Sequence, residues 1–126
     1  VMFDGDFKPE DIDLDGYVED GKFGRKILRL EYPVAVKVED SSGKREETIE
    51  HIEFRRPVGR DLDFLEKLDG DKSVMAGSRK FIARLVFGDE RVTEKAFEQM
   101  DADDYFRSMA VCFGFFLKPS RTTSDQ

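Results

Sequence analysis

Few residues in this chain combine the types and spacing that catalysis or metal binding requires. The 126 residues include one histidine, His51, and one cysteine, Cys112. A single cysteine excludes an internal disulfide and a zinc site built from cysteines, and a single histidine excludes a metal site built from several histidines. The sequence also lacks a phosphate-binding P-loop, a Gly-x-Ser-x-Gly nucleophile elbow and a His-Glu-x-x-His zinc motif. We therefore expect a protein that is not an enzyme and that uses no cofactor or metal.

The two residues that could serve as base and nucleophile have simpler interpretations. His51 lies among Glu50 and Glu53 on a charged strand face, which is typical of a solvated surface histidine. Cys112 lies beside Phe113 in an apolar helical stripe, which indicates a small buried core residue and not a reactive thiol.

Two acidic clusters are the remaining candidates for metal binding. The run over residues 11–16 is similar to part of a calcium loop, but it lacks the glutamate at the twelfth position that closes such loops, so a solvated loop is favoured. Asp101, Asp103 and Asp104 open the last predicted helix, where carboxylates bind free N–H groups and interact with the helix dipole. Because all three come from one short segment, a metal site there is the weaker interpretation.

A basic cluster and an aromatic run are the candidates for partner binding. Around Pro57, three arginines could bind an acidic partner or, as the favoured interpretation, pair with Asp61, Asp63 or the acidic N-terminal segment. The last predicted helix ends in an aromatic run that is too wide for one packed face, so it is either core on two faces or partly a docking surface. Both readings stay open, with Phe115 expected on the side away from the core. The expected partner-binding residues are Phe106, Phe113, Phe115, Phe116 and Leu117, with Arg55, Arg56 and Arg60 at the rim.

Net charge and hydropathy exclude several classes of partner. The formal net charge is -7 and the pI about 4.8, and no basic stripe exists, so neither nucleic acid nor an anionic membrane is an expected partner. No apolar run is long enough to span a bilayer, and no signal-peptide pattern opens the chain. We expect a cytoplasmic protein.

Charge and glycine spacing divide the chain into three parts. Residues 1–25 hold eight acids against three bases and are interrupted by glycines and a proline, which indicates a flexible or loosely docked acidic arm. Residues 26–118 carry the regular patterns of a single domain. Residues 119–126 are polar and expected to be disordered.

Strict alternation of apolar and polar residues predicts a β-hairpin over residues 27–56. The first strand alternates from Ile27 to Val38 and contains Pro33, which marks an edge or a bulge because proline cannot donate to a strand ladder. On the second strand, Ile49 is out of phase with Ile52, so a bulge near Glu50 and His51 is expected.

Helical spacing follows the hairpin and fixes the expected fold class. Apolar residues at helical intervals, glycine stops and capping residues predict helices at about 59–69, 73–87, 93–100 and 102–117. The expected fold is therefore α+β, with an antiparallel hairpin packed on three or four α-helices.

The order of several short motifs resembles a known family. A strand reading Leu-Glu-Tyr-Pro ends at Pro33, an Arg-Arg-Pro strand exit ends at Pro57, and a helix start reading Met-Asp-Ala-Asp-Asp-Tyr precedes a terminal Phe-Leu at Leu117. In this order they resemble the tail assembly chaperones of Mu-like and related tailed phages and prophages, over roughly residues 28–117. Met100 stands where that family usually has leucine, and residues 1–25 have no counterpart in the resemblance.

This resemblance implies a non-enzymatic function. Such chaperones bind the tape-measure protein and keep it soluble while tail-tube subunits polymerise, so the tape-measure protein is the expected partner, with the tail tube protein and a second copy of the chain as further partners. Two alternatives remain open: a structural tail component that stays in the virion, and an acidic interaction or inhibitor module. The clustering of acids in a glycine-interrupted segment argues against the inhibitor.

Overall fold

A three-stranded antiparallel sheet with helices on one face forms the body of the protein. The computed structural model describes residues 9–67 and 74–116. Strand β1 spans Val18–Asp20, β2 Lys26–Asp40 and β3 Gly43–Phe54, in the spatial order β1-β2-β3. Within the described residues four helices follow, α1 Gly59–Lys67, α2 Val74–Arg84, α3 Glu94–Gln99 and α4 Ala102–Gly114. The predicted α+β class is confirmed.

Alternation places the apolar side chains of the hairpin on one face. Leu28 and Ile52 lie directly opposite each other, as do Val34 and Ile49, and all four are buried. Phe54 is fully buried as well and stacks on Phe97 of α3 with ring centroids 6.3 Å apart. A polar strand face thus meets solvent while the apolar face meets the helices, which is how a half-buried antiparallel sheet is stabilised.

The hairpin is interrupted where Pro33 removes a ladder donor. Arg29 pairs with His51 and Val34 pairs with Ile49, so residues 30–33 of β2 lie opposite Glu50 alone. The irregularity therefore falls at the predicted place along β3, but the extra residues are in β2. This bulge restores the phase of the apolar residues on both sides of it.

The helices end earlier than their patterns predict. The structure ends α2 at Arg84, and residues 85–87 instead line up with the end of β3: Phe87 N–H donates to the Glu53 carbonyl at 2.8 Å, and Arg55 N–H donates to the Leu85 carbonyl at 2.9 Å. At α4, the Asp101 carboxylate accepts the N–H of Asp103, as expected for a helix cap. The predicted end of the first helix and the predicted start of the second fall within residues 68–73, which lie outside the described residues. The same holds for residue 117, the predicted end of the last helix, and for the predicted disordered tail.

One core joins the sheet to α2, α3 and α4. Its fully buried members from the helices include Phe81, Ile82 and Cys112, and Leu85 is fully buried just after α2. Burial of such apolar area is the main stabilising contribution. Burial also raises the pKa of the Cys112 thiol well above its usual value. Cys112 is thus the buried core cysteine that the sequence predicts, and burial keeps its thiol protonated.

Residues 9–25 lie against the domain and not apart from it, which differs from the expectation of a flexible acidic arm. Strand β1 pairs with residues 26–28 of β2, and Arg29 N–H donates to the Tyr17 carbonyl at 2.7 Å. Leu14, Tyr17 and Val18 pack against the core, and the Tyr17 ring lies 3.8 Å from the Arg107 guanidinium carbon. Net charge and glycine content suggested disorder, but these few apolar contacts suffice to dock the segment.

Candidate functional site

Two buried aspartates hold the sequence motifs in place. Asp61 of α1 is fully buried and accepts two hydrogen bonds from the Arg55 guanidinium, at 2.8 and 3.1 Å, and one from Arg84 at 2.8 Å. The Val58 N–H donates to the same carboxylate at 2.7 Å. These donors favour the charged form and lower the pKa of Asp61 strongly. Arg55, predicted at the rim of a partner site, is therefore engaged in an internal ion pair.

The second buried aspartate, Asp104, joins α4 to the bulge of β2. Its two carboxylate oxygens accept the N–H groups of Glu31 and Tyr32, each at 2.9 Å. Arg107 donates to Asp104 at 2.8 Å and to the Glu31 carboxylate at 2.9 Å. The Tyr-Pro strand and the Asp-Tyr helix start, two motifs far apart in sequence, thus form one structural unit.

The aromatic run of α4 is more deeply buried than the sequence suggested. Phe115 is 7% exposed, so the expectation that it faces away from the core is wrong. Phe106 and Phe113 are half-buried, and Phe113 and Phe116 pack on Phe81 with centroid distances of 5.0 and 6.0 Å. The wide apolar band is accounted for largely by core packing on two faces, since the sheet and α2 both contact α4. Leu117 lies outside the described residues.

The most exposed aromatic side chain among the described residues lies in the N-terminal segment, where the apolar residues follow no periodic pattern. Phe23 is 84% exposed and has a φ of +58°, in the left-handed region that non-glycine residues rarely adopt. Such strain persists only where the surroundings enforce it, and it concentrates at binding and catalytic sites. Phe87 is 42% exposed, and the Arg25 guanidinium carbon lies 5.3 Å from the Phe23 centroid and 4.0 Å from that of Phe87.

Arg56 joins this cluster to the end of α4. Its guanidinium carbon lies 5.7 Å from the Phe115 ring centroid, and its stem packs so closely on Gly24 that a Cβ there would come within 2.6 Å of Cδ. Gly24 has a φ of +77°, so both its conformation and this contact require glycine. We define the aromatic–arginine surface by Phe23, Arg25, Arg56 and Phe87. It contains one of the predicted rim arginines, Arg56, whereas Arg60 is exposed on α1.

The aromatic–arginine surface can bind apolar segments but offers no reactive group. Glu53 accepts a hydrogen bond from Arg25 at 2.6 Å, which orients that guanidinium between the two rings. Exposed aromatic rings with interleaved arginines are the residue types that dominate protein–protein binding energy. His51 is exposed on β3, and the part of the chain that the structure describes contains no group of three or more metal-ligating side chains.

Comparison with known protein families gives a match over most of the chain. The model of a family described as "Phage tail assembly chaperone proteins, E, or 41 or 14" matches residues 28–117. These residues include both buried aspartates, the hairpin from Leu28 onward and the four helices, whereas Phe23 and Arg25 precede the match. No curated protein and no solved structure matches the chain significantly. Across the described ranges, no helix is long and apolar enough to cross a membrane.

Proposed function

The chain belongs to the family of phage tail assembly chaperone proteins, and from this premise we propose that it binds the tape-measure protein and keeps it soluble during tail tube assembly. The proposed site is the aromatic–arginine surface, which replaces the aromatic run of α4 as the main contact. The proposed place of action is the cytoplasm of the bacterial host, where tails are assembled. The function requires binding alone, without a chemical step.

The exposure of Phe23 is the observation that supports this site best. A phenylalanine with 84% of its surface in water, held at a φ of +58°, adds no packing energy to the monomer. Its ring and the Phe87 ring both lie within reach of the Arg25 guanidinium, so a partner helix or strand can contact two aromatic rings and a cation at the same place.

Charge supports the second half of the proposal, solubility. The chain carries a net charge of -7, and like-charged complexes repel each other in solution. The proposed site itself contains two positively charged side chains, Arg25 and Arg56. An apolar partner segment with acidic flanks would therefore be covered at the aromatic–arginine surface while the rest of the chaperone keeps the complex dispersed.

Co-expression with the tape-measure protein of the same phage or prophage tests this proposal. We expect Phe23→Ser and Phe87→Ser each to reduce the soluble, co-purifying tape-measure protein by roughly ten-fold, the scale of a binding hot spot. Leu62→Ser is the matched control, because Leu62 is 53% exposed on α1 and is not a member of the aromatic–arginine surface. Circular dichroism should show that all three variants keep the fold.

Three outcomes would count against the proposed function or the proposed site. A stable wild-type protein that neither binds nor solubilises the tape-measure protein excludes the function. If Leu62→Ser abolishes capture while the two phenylalanine variants bind normally, the function holds and the site lies on α1. Detection of the chain in purified mature tails would favour the structural-component alternative, since an assembly chaperone leaves the finished particle.

A further inference from the structure

The long strand β2 has a free edge that is suited to pairing with another strand. Strand β1 pairs with residues 26–28, Tyr17 and Asp104 bind the N–H groups of residues 29, 31 and 32, and Pro33 has no N–H. In the part of the chain that the structure describes, no strand pairs with residues 34–40 on this side. An edge of seven residues with unpaired backbone groups is a template for β-addition.

The composition of this edge differs from that of the other sheet edge. In β2, Val34, Val36 and Val38 alternate with polar residues, and Val36 and Val38 remain half-buried. A groove of about 620 Å3 lies between this segment and α3. The outer edge of β3 begins instead with the four charged residues 44–47 on both faces of the strand, which is a common protection against edge pairing. The β2 edge is therefore the one left open.

We propose that a second copy of this chain pairs antiparallel with residues 36–40 of β2, with Val38 of the two copies on the symmetry axis. This inference is independent of the proposed function. The charges select the register: it places Lys37 of each copy directly opposite Glu39 of the other, in two equivalent pairs. Both side chains are exposed, and neither makes an ion pair or hydrogen bond with another described residue.

Other registers are less favourable for physical reasons. A shift of one residue would set Lys37 opposite Val38 and mix the exposed and buried faces of the sheet. A two-fold axis at Lys37 or at Glu39 would place like charges directly opposite each other. Of these registers, the axis at Val38 is the one that pairs opposite charges, and it keeps the apolar faces of the two sheets on the same side. The result is a six-stranded sheet with the helices of both copies on the same face.

Charge reversal provides the test. We expect the sedimentation of the wild-type chain to approach that of a dimer as the protein concentration rises. The affinity should be weak, because the paired segment is short. Lys37→Glu and Glu39→Lys should each weaken the dimer by roughly ten-fold or more, since each converts two attractive pairs into two repulsive ones. Mixing the two variants should restore dimerisation, because the heterodimer pairs unlike charges at both places.

The mixing step also separates assembly from folding. Within one chain, Lys37 lies opposite Glu46 of β3, and Glu39 lies opposite Lys44. Each variant therefore also loses a favourable charge pair inside its own chain, but this loss of stability is the same for the variant alone and in the mixture. Hydrogen exchange should show protection of residues 36–40 that rises with protein concentration. A wild-type chain that stays monomeric at several hundred micromolar, or a mixture that sediments as two monomers, overturns the proposal. A dimer that is indifferent to both substitutions assigns association to another surface.

Discussion

At the scale of single residues, the buried carboxylate of Asp61 explains the position of Arg55, which forms an internal ion pair with it. The Arg55 and Arg84 side chains are about a third exposed, at 30% and 35%, whereas the Asp61 side chain is fully buried. A buried charge is tolerated because four donors satisfy it, including the Val58 N–H. One ion-pair network thus accounts for Arg55, Asp61 and Arg84 together.

We predict that Asp61→Asn lowers the free energy of unfolding by about 2–3 kcal/mol at pH 7, because it removes the charge from several hydrogen bonds. Asp63→Asn on the exposed side of the same helix is the control and should change little. The folded-state pKa of Asp61 lies below the unfolded value of about 3.9. Its contribution is therefore fully present above that unfolded value and is lost as the pH falls through the folded pKa.

Urea unfolding of the two variants and the wild type between pH 7 and pH 2 measures this effect. The gap between wild type and Asp61→Asn should be widest at neutral pH and should shrink below about pH 4. A gap that stays constant down to pH 2 would show that the loss comes from packing and not from the charge.

At the scale of elements, α4 holds the bulge of β2 through one side chain. A bulge exposes backbone N–H groups that the neighbouring strand cannot accept, and here the Asp104 carboxylate accepts those of Glu31 and Tyr32. Helix, bulge and strand are therefore stabilised together, and Arg107 neutralises the buried charge.

We predict that Asp104→Ala destabilises the fold by about 2–4 kcal/mol, since it leaves two backbone donors without their acceptor and removes one of the two carboxylates that Arg107 binds. Asp103→Ala is the matched control one position away, exposed and outside this network, and it should cost less than about 1 kcal/mol through the helix dipole. Chemical denaturation gives both values. Hydrogen exchange of the Glu31 and Tyr32 amides should accelerate in Asp104→Ala alone; equal behaviour of the two variants would assign the network no energetic importance.

At the scale of the whole molecule, the N-terminal segment is part of the folded body. It contributes strand β1, three side chains against the core and the Tyr17–Arg107 contact. It also supplies Phe23 and Arg25 of the aromatic–arginine surface. The 17 residues 9–25, which precede the family match, therefore both pack on the domain and hold part of the proposed binding surface.

We predict that deletion of residues 1–25 lowers the unfolding free energy by about 2–4 kcal/mol, because several partly buried side chains are lost with it. Deletion of residues 1–8 is the comparison, and the difference between the two midpoints in urea isolates the contribution of residues 9–25. Equal midpoints for the two deletions would support the flexible arm that the charge pattern suggested.

What the sequence determined by itself was the set of elements that carry a periodic apolar pattern. Alternation over residues 27–38 and helical spacing after Pro57 predicted the hairpin, the four helices and the α+β class, since periodicity reports directly which face of an element is buried. The burial of Cys112 and the place of the bulge along β3 followed from the same patterns.

Only the tertiary structure decided which charged and aromatic side chains are buried and which are left exposed. Asp61 and Asp104 resemble ordinary helix-start carboxylates in sequence, yet the Asp104 contacts join residues 72 and 73 positions apart. Phe23 belongs to no periodic apolar pattern. The helical pattern alone predicts that Phe115 faces outward, whereas the packing of the chain around α4 buries it. A sequence pattern describes one element at a time, whereas burial of these residues depends on contacts between distant elements that no local pattern contains.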